Sequence, residues 1–142
     1  MIVLDTNILS ELMRSGPDRA VLTWMSRQSM MILFITAITQ AEILYGLALL
    51  PEGRRRDLLI AAARAMFEED FSGRVLPFDR EAARVYAEIA SRRRQAGEPV
   101  SQFDAQIAAI TQSRGASLAT RNTRDFLSCG ITLINPWDQA GS

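Results

Sequence analysis

The residue types that this sequence lacks limit its chemistry more sharply than those it contains. Histidine and lysine are absent, so all 16 basic residues are arginines, and cysteine occurs once, at Cys129. Without histidine, hydrolases that use an imidazole base are excluded. Without lysine, Schiff-base enzymes and P-loop proteins are excluded. One cysteine without histidine also excludes the usual zinc sites. Catalysis would have to use carboxylates, hydroxyls, amides and arginines, with a metal that prefers oxygen ligands.

Long apolar segments and an excess of charge are also missing. The longest apolar run, residues 30–35, falls far short of the ~20 residues of a membrane span. Asp5 interrupts the N-terminal apolar run, so we expect no signal peptide. A lone cysteine gives no intramolecular disulfide and fits a reducing compartment, which predicts a cytoplasmic protein. The formal net charge of +0 argues against coating nucleic acid by bulk electrostatics, although a local arginine patch stays open.

Short apolar segments alternate with amphipathic ones along the chain, which has the length of one domain. We expect a single domain over residues 1–142. Strand, helix and strand in alternation predict an α/β fold, with helices on both faces of a mostly parallel central sheet. We predict strands at residues 2–4, 30–36, 75–78, 116–121 and 131–134, the second of them buried on both faces.

Acidic residues stand where the chain turns at the end of a strand or the start of a helix. Asp5 follows the first strand, Glu42 and Asp104 lie early in two helices, and Asn122 and Asp125 follow the fourth strand. Each has a structural alternative. Asp5 can cap a helix, and Thr39-x-x-Glu42 and Ser101-x-x-Asp104 match the capping box. Taken singly, capping is the favoured interpretation of each acid.

Taken together, the junction acids favour a metal site. In a parallel sheet such junctions collect along one edge, where ligands bind. Clustered carboxylates repel one another, and a divalent cation relieves that repulsion. Mg²⁺ typically takes one or two carboxylates, several waters and the phosphates of a substrate. Since histidine, lysine and cysteine chemistry is excluded, metal-assisted hydrolysis of phosphodiesters is the reaction class that remains.

Five segments, in this order and spacing, resemble one known family: MIVLDTNILSEL, ITQAEILYG, FDAQIAAI, ATRNTRDF and INPW. They are similar to the PIN-domain family, in particular to VapC-type toxins of bacterial toxin–antitoxin pairs and the similar FitB proteins. The resemblance covers essentially the whole chain. It implies a three-layer α/β/α sandwich and an endoribonuclease that depends on Mg²⁺ or Mn²⁺. It also implies a homodimer that a cognate antitoxin inhibits in a heterotetramer or larger complex, with DNA contacted only through the antitoxin.

The resemblance also implies roles for individual residues. Asp5 and Asp104 match the principal metal ligands, and Glu42 matches an acid that reaches the metal directly or through water. Thr6 and Asn7 belong to the first motif and would orient Asp5.

Near the end of the fourth strand, Thr120 matches a polar residue beside the site. The sequence departs from the family at the fourth acidic position, where it has Asn122, with Asp125 three residues later. Either Asn122 is a neutral ligand or positions a water, or Asp125 supplies the fourth charge, and we favour a role for Asp125. Arg121 and Arg124, beside the expected site, are candidates for contacting substrate phosphates because guanidinium groups match phosphate oxygens.

Other protein classes also have acids at strand ends. Receiver domains and phosphatases built on an Asp-x-Asp-x-Thr motif both need a lysine, which this chain lacks. A binding module remains open as the alternative function: an intact fold that acts mainly with an antitoxin on DNA and has little nuclease activity. Arginine runs at 54–56 and 92–94 are interpreted as solvated helix ends, and Trp24 and Trp137 as core or dimer-interface residues.

Overall fold

A computed structural model describes residues 1–138 of the chain. Five parallel strands form one sheet in the order β3-β2-β1-β4-β5. The strands are β1 Ile2–Leu4, β2 Leu33–Thr36, β3 Val75–Leu76, β4 Ser117–Ala119 and β5 Leu133–Ile134. All four strand pairs are parallel, with Ile2 of β1 paired to Leu33 on one side and to Ser117 on the other. The predicted parallel sheet is confirmed.

Six α-helices flank this sheet within residues 1–138. They are α1 Thr6–Leu12, α2 Arg19–Ser26, α3 Ala37–Ala48, α4 Arg54–Ala65, α5 Arg80–Gln95 and α6 Gln102–Ser113. Short 3₁₀ turns occur at Met30–Ile32, Thr123–Phe126 and Pro136–Asp138, and a π-helical turn, Met66–Asp70, continues α4. Among these residues no helix has the length and hydropathy that a membrane crossing requires.

Two apolar cores lie on opposite faces of the sheet. Successive strand residues point to opposite faces, so Val3 packs with α5 and α6 in one core, and Leu4 packs with α1 to α4 in the other. Leu118 and Ala119 of β4 divide between the cores in the same way. The three-layer α/β/α sandwich is therefore confirmed.

Several predicted element boundaries are wrong. The strands predicted at 75–78, 116–121 and 131–134 are shorter, and cover only 75–76, 117–119 and 133–134. Residues 30–32 form a 3₁₀ turn instead of strand, because the Ser29 hydroxyl accepts a hydrogen bond from the Met31 amide. Met31 is 74% exposed, so the apolar run is not buried throughout. Helix α3 begins at Ala37, since Thr36 is its N-cap and accepts a hydrogen bond from the Thr39 amide. Glu42 therefore lies in the second turn and cannot complete a capping box with Thr39.

A buried arginine joins the end of α5 to two loops that frame the sheet edge. Arg93 is only 7% exposed. Its Nε donates to the carbonyl of Glu98 at 2.7 Å, and its Nη1 donates to the carbonyls of Asp125 and Leu127. A guanidinium has five donors in a fixed plane, so one side chain can hold three carbonyls. Arg93 thus ties the segment before α6 to the segment that carries Asp125.

Replacing Arg93 with methionine should destabilise the fold. Met fills similar space but leaves three carbonyls without their donor, so we expect Arg93→Met to lower the free energy of unfolding by roughly 2–4 kcal/mol. Urea denaturation of the parent and variant measures the change. Exposed Arg94 gives the matched control, since Arg94→Met should change stability by less than about 0.5 kcal/mol. Equal losses for the two variants would contradict the role assigned to Arg93.

Candidate metal centre

The candidate site lies where the chain reverses its direction of travel across the sheet. From β1 the chain builds outward through β2 to β3, and then returns to build β4 and β5 on the other side of β1. In open α/β sheets, ligands bind at such a switch point, outside the carboxyl ends of the strands. Asp5 directly follows β1 and Thr120 directly follows β4, so topology places both residues at this point.

Asp5 is buried there among hydrogen-bond donors. Its side chain is 4% exposed. Oδ1 accepts from the Thr6 amide at 2.8 Å, and Oδ2 accepts from the Thr120 hydroxyl at 2.8 Å and from Asn7 Nδ2 at 3.3 Å. Burial raises the pKa of Asp5 to about 6, with smaller contributions from the nearby charges of Asp104 and Glu42. The donors from Thr120 and Thr6 favour the charged form and limit that rise.

Glu42 reaches the site from α3 through a chain of threonine hydroxyls. The Thr6 hydroxyl donates to Glu42 Oε1 at 2.8 Å and lies 3.0 Å from the Thr39 hydroxyl, which in turn accepts from Thr36 at 3.4 Å. Burial, and then the charge of Asp104, raise the pKa of Glu42, while the Thr6 hydrogen bond opposes the rise. The first motif therefore contacts two acids: the Thr6 amide binds Asp5 and the Thr6 hydroxyl binds Glu42.

Asp104 approaches from the first turn of α6. Ser101 caps this helix, and its hydroxyl accepts from the Asp104 amide at 3.2 Å, as one half of the predicted capping box. Asp104 is half-buried, and burial raises its pKa, with a further rise from the charge of Asp125. Asp104 lines both the cleft that contains Asp5 and a smaller hollow that it shares with Asp125.

The two candidates for the fourth position lie on different sides of Asp104. Asn122 lines the cleft with Asp5, and its amide donates to the Thr120 hydroxyl at 3.0 Å. Asp125 lines the adjoining hollow, beside Arg93. Asn122 thus shares a cleft with Asp5, whereas Asp125 acts on Asp104 through its charge.

The cleft, of about 450 Å³, also contains side chains that the sequence prediction did not include. Ser10, Glu11, Arg14 and Trp137 line it together with the acids. Thr6 and Ser10 are spaced four residues apart and so share one face of α1, and Arg14 follows two residues after the end of this helix. This polar stripe beside Asp5 was the available signal. Nothing local in the sequence brings Trp137 to the cleft, because its place depends on the packing of the last turn against α2.

Of the two predicted phosphate-binding arginines, one lies in the cleft. Arg121 lines it, with the guanidinium 5.1 Å from the centre of the Trp137 ring, and its amide donates to Asn7 Oδ1 at 3.2 Å. Arg124 is exposed on the 3₁₀ turn, outside the lining of the cleft.

The acids carry no balancing cation from the protein. Within residues 1–138, no arginine lies within ion-pair distance of Asp5, Glu42 or Asp104. Over the same part of the chain, no three His, Cys, Asp or Glu side chains are close enough to hold one ion together. A cation would therefore rest on one or two carboxylates and complete its coordination with water, which is the habit of Mg²⁺. The donor set fits such an ion.

Comparison with known proteins identifies the family. A family model described as PIN domain matches residues 2–128. The chain belongs to the PIN-domain family. This PIN domain is 42% identical over 140 residues to the VapC ribonuclease Y4jK of Sinorhizobium fredii, covering 99% of this chain and 100% of that relative. It is 35% identical over 137 residues to the toxin FitB of Neisseria gonorrhoeae, covering 96% and 99%. The predicted family is confirmed, and with it the class, a toxin-type nuclease.

Solved structures agree with these relatives. The PIN domain superposes on a chain of FitAcB from Neisseria gonorrhoeae with a TM-score of 0.92 at 35% identity, covering 97% of this chain and 99% of that one. A chain of FitAB bound to a DNA fragment gives a TM-score of 0.91 at 35% identity, covering 96% of both chains. A chain of DNA-bound VapBC from Salmonella typhimurium gives 0.78 at 25% identity, covering 95% and 97%.

The buried carboxyl of Asp5 should make the metal-free protein less stable as the pH rises. The pKa of Asp5 is 3.8 in its ordinary state and about 6 when folded, so the unfolded chain releases this proton first. Below pH 3.8 the two states are equally protonated and there is no penalty. Between pH 3.8 and pH 6 the free energy of unfolding falls by ~1.4 kcal/mol per pH unit, which gives a total of about 3 kcal/mol. Above pH 6 this loss stays constant.

Asp5→Asn removes this titration while keeping the shape of the side chain. Relative to the parent in EDTA, the variant should therefore gain stability between pH 4 and pH 8, by up to about 3 kcal/mol. Urea denaturation of both proteins at the two pH values measures this difference and cancels the other titrating groups. A parent–variant difference that stays constant across the range would show that Asp5 ionises in the folded state as readily as in the unfolded chain.

Proposed function

We propose that this PIN domain, a single domain over residues 1–142, is a metal-dependent endoribonuclease and the toxin of a type II toxin–antitoxin pair. The observation that carries the proposal is the convergence of Asp5, Glu42 and Asp104 at the switch point, without a balancing cation from the protein. Neither histidine nor lysine is available in the chain as a base. The relatives named as a ribonuclease and as a tRNA(fMet)-specific endonuclease support RNA as the substrate.

Asp5 and Asp104 would hold Mg²⁺ or Mn²⁺, and Glu42 would reach the ion through a water, because no three acids within residues 1–138 lie close enough to share one ion. When bound, such an ion activates a water and stabilises the charge that develops on a phosphate. The protein supplies the orientation. The donors from Thr120, Thr6 and Asn7 fix both oxygens of Asp5. The Thr6 hydroxyl holds Glu42 at one oxygen and leaves the other for a water.

For the fourth position, we propose different roles for the two candidates. Asn122 lies in the cleft and can hold a water near Asp5. Asp125 adds negative charge beside Asp104, which strengthens the attraction of that carboxylate for a cation. The structure thus supports a role for Asp125, as favoured from the sequence, but as an electrostatic neighbour of a ligand.

We also propose a cognate antitoxin as the protein partner, a homodimer of the toxin, and a heterotetramer or larger complex that contacts DNA through the antitoxin. The neighbouring FitAB and VapBC structures support this assembly. Exposed apolar side chains on α3, at its C-cap and on α4 are of the kind that interfaces cover: Tyr45, Leu49 and Leu58 are 67%, 68% and 61% exposed. RNA and a cognate antitoxin are both found in the cytoplasm, so we propose that the toxin acts in that compartment.

Purified protein free of antitoxin should cleave RNA with Mg²⁺ or Mn²⁺ and stop when EDTA is added. Asp5→Asn should lower the rate at least ~100-fold, since the ion would lose a principal ligand. Sequencing of RNA ends after induction, with Asp5→Asn as the matched control, measures cleavage in cells. Arg84→Ala, on an exposed face of α5, controls for unspecific effects of substitution.

Two kinds of result would contradict the proposed metal-dependent nuclease. Cleavage that survives EDTA, or that Asp5→Asn leaves unchanged, removes the proposed site from the reaction. No cleavage at all favours the alternative, a subunit that acts with an antitoxin on DNA. The DNA-bound FitAB structure is the observation that keeps this alternative in view.

Substitutions at the fourth position should separate its two candidates. Asp125→Asn should weaken Mn²⁺ binding several-fold, because it removes a negative charge beside Asp104. Asn122→Ala should leave Mn²⁺ affinity nearly unchanged and lower the cleavage rate, because it removes an amide that holds water. Calorimetric titration with Mn²⁺ and single-turnover cleavage measure the two effects. Reversed effects would exchange the proposed roles.

A further inference from the structure

One cation in the cleft is stacked on an aromatic ring instead of paired with an acid. The guanidinium carbon of Arg121 lies 5.1 Å from the centre of the Trp137 ring. Trp137 is half-buried and packs against the core formed with α1 to α4. Both side chains line the cleft that contains Asp5 and Asp104. The stack is therefore part of the wall that faces the acids.

The backbone around this pair is fixed on two sides. The Arg121 amide donates to Asn7 Oδ1 at 3.2 Å, which ties the arginine to the start of α1. Asn135 bridges the other side: its Oδ1 accepts from the Trp137 amide at 2.9 Å, and its Nδ2 lies 3.5 Å from the Arg121 carbonyl. A single asparagine thus holds the backbones of both members, so the stack is preorganised.

The guanidinium of Arg121 has unused binding capacity. Arg121 is exposed, and within residues 1–138 its side chain makes no hydrogen bond and no ion pair. The central carbon of the guanidinium lies over the indole ring, and none of the guanidinium N–H donors has a partner among residues 1–138, so the donors and the side away from the ring are open. Arginine planes stack on flat π systems, whereas lysine offers only a point charge. An open guanidinium plane backed by tryptophan is suited to a flat ligand.

Nucleobases are such ligands. Proteins that recognise single-stranded RNA stack unpaired bases on aromatic rings and on arginine planes. This inference rests on the proposed function, because an RNA bound at the carboxylates would bring its neighbouring bases to the cleft wall. We propose that Arg121 and Trp137 form a stacking platform for one unpaired base adjacent to the cleaved phosphodiester. The platform makes the cleft selective for single-stranded RNA.

Binding in EDTA tests the platform without cleavage. The probes are short oligo(A), oligo(U) and a ribose-phosphate chain of the same length that lacks bases, so that phosphate number is constant. Oligo(A) should quench tryptophan fluorescence and bind about tenfold more tightly than the base-less chain, with oligo(U) between them. Trp137→Phe should abolish the quenching, which assigns the signal to Trp137.

Arg121→Lys separates stacking from charge. It keeps the positive charge, so the base-less chain should bind as before, and it removes the plane, so the preference for oligo(A) should fall to about twofold. The matched control Arg84→Ala removes an exposed charge on α5 and should retain the full preference. Equal affinity of the parent for oligo(A) and the base-less chain would overturn the proposal. So would an Arg121→Lys variant that keeps the base preference, since Arg121 would then act as a charge alone.

Cleavage kinetics distinguish failure of the platform from failure of the proposed function. In single-turnover cleavage with Mn²⁺, Arg121→Lys should raise the RNA concentration needed for half-maximal rate about fivefold, in line with the loss of base preference, and change the maximal rate less than twofold. Cleavage by the parent with no base preference in binding overturns the platform and leaves the nuclease. Absence of cleavage by the parent overturns the nuclease, and the platform then fails only if the base preference in EDTA is also absent.

Discussion

The structure is organised around a carboxylate that is buried at the end of its central strand. Asp5 follows β1, which has a parallel strand on each side, so water cannot reach it from either flank. Burial of a charge is costly unless donors surround it. The donors come from the next turn of chain and from Thr120 at the end of the neighbouring strand. The site therefore depends on the register of β1 with β4, and the two strands cannot slip without breaking it.

Burial destabilises the ionised form of the three acids and also strengthens their attraction for a cation. Burial is the largest cause of the raised pKa of Asp5, of Glu42 and of Asp104. All three shifts have the same direction, and each is increased by a neighbouring acid. A low-dielectric, negatively charged edge attracts a cation more strongly than an exposed one does. The buried acids thus destabilise the metal-free fold, and binding of the proposed ion would restore the lost stability.

The sequence predicted the sheet, the layers and the meeting of the acids, because strand ends in a parallel sheet share one edge and the helices that carry Glu42 and Asp104 begin at that edge. It failed where local signals competed. Thr36 and Thr39 are both good caps, and only the position of the end of β2 selects Thr36. The apolar run at 30–32 looks like strand, yet β1 begins too late to pair with it. Trp137 could not be placed in the cleft, because its position depends on the packing of the last described turn against α2, which is distant in sequence.

The proposed platform of Arg121 and Trp137 would help an acidic cleft to bind a negatively charged RNA. The cleft is lined by carboxylates, the substrate proposed for it is a polyanion, and the chain has a formal net charge of +0. Long-range attraction therefore contributes little, and contacts to phosphate weaken as salt rises. Stacking of a base does not depend on neutralising phosphates, and an arginine plane adds a local positive charge at the same place. Arg121 can combine stacking and positive charge at one residue, whereas a lysine at position 121 would supply the charge alone.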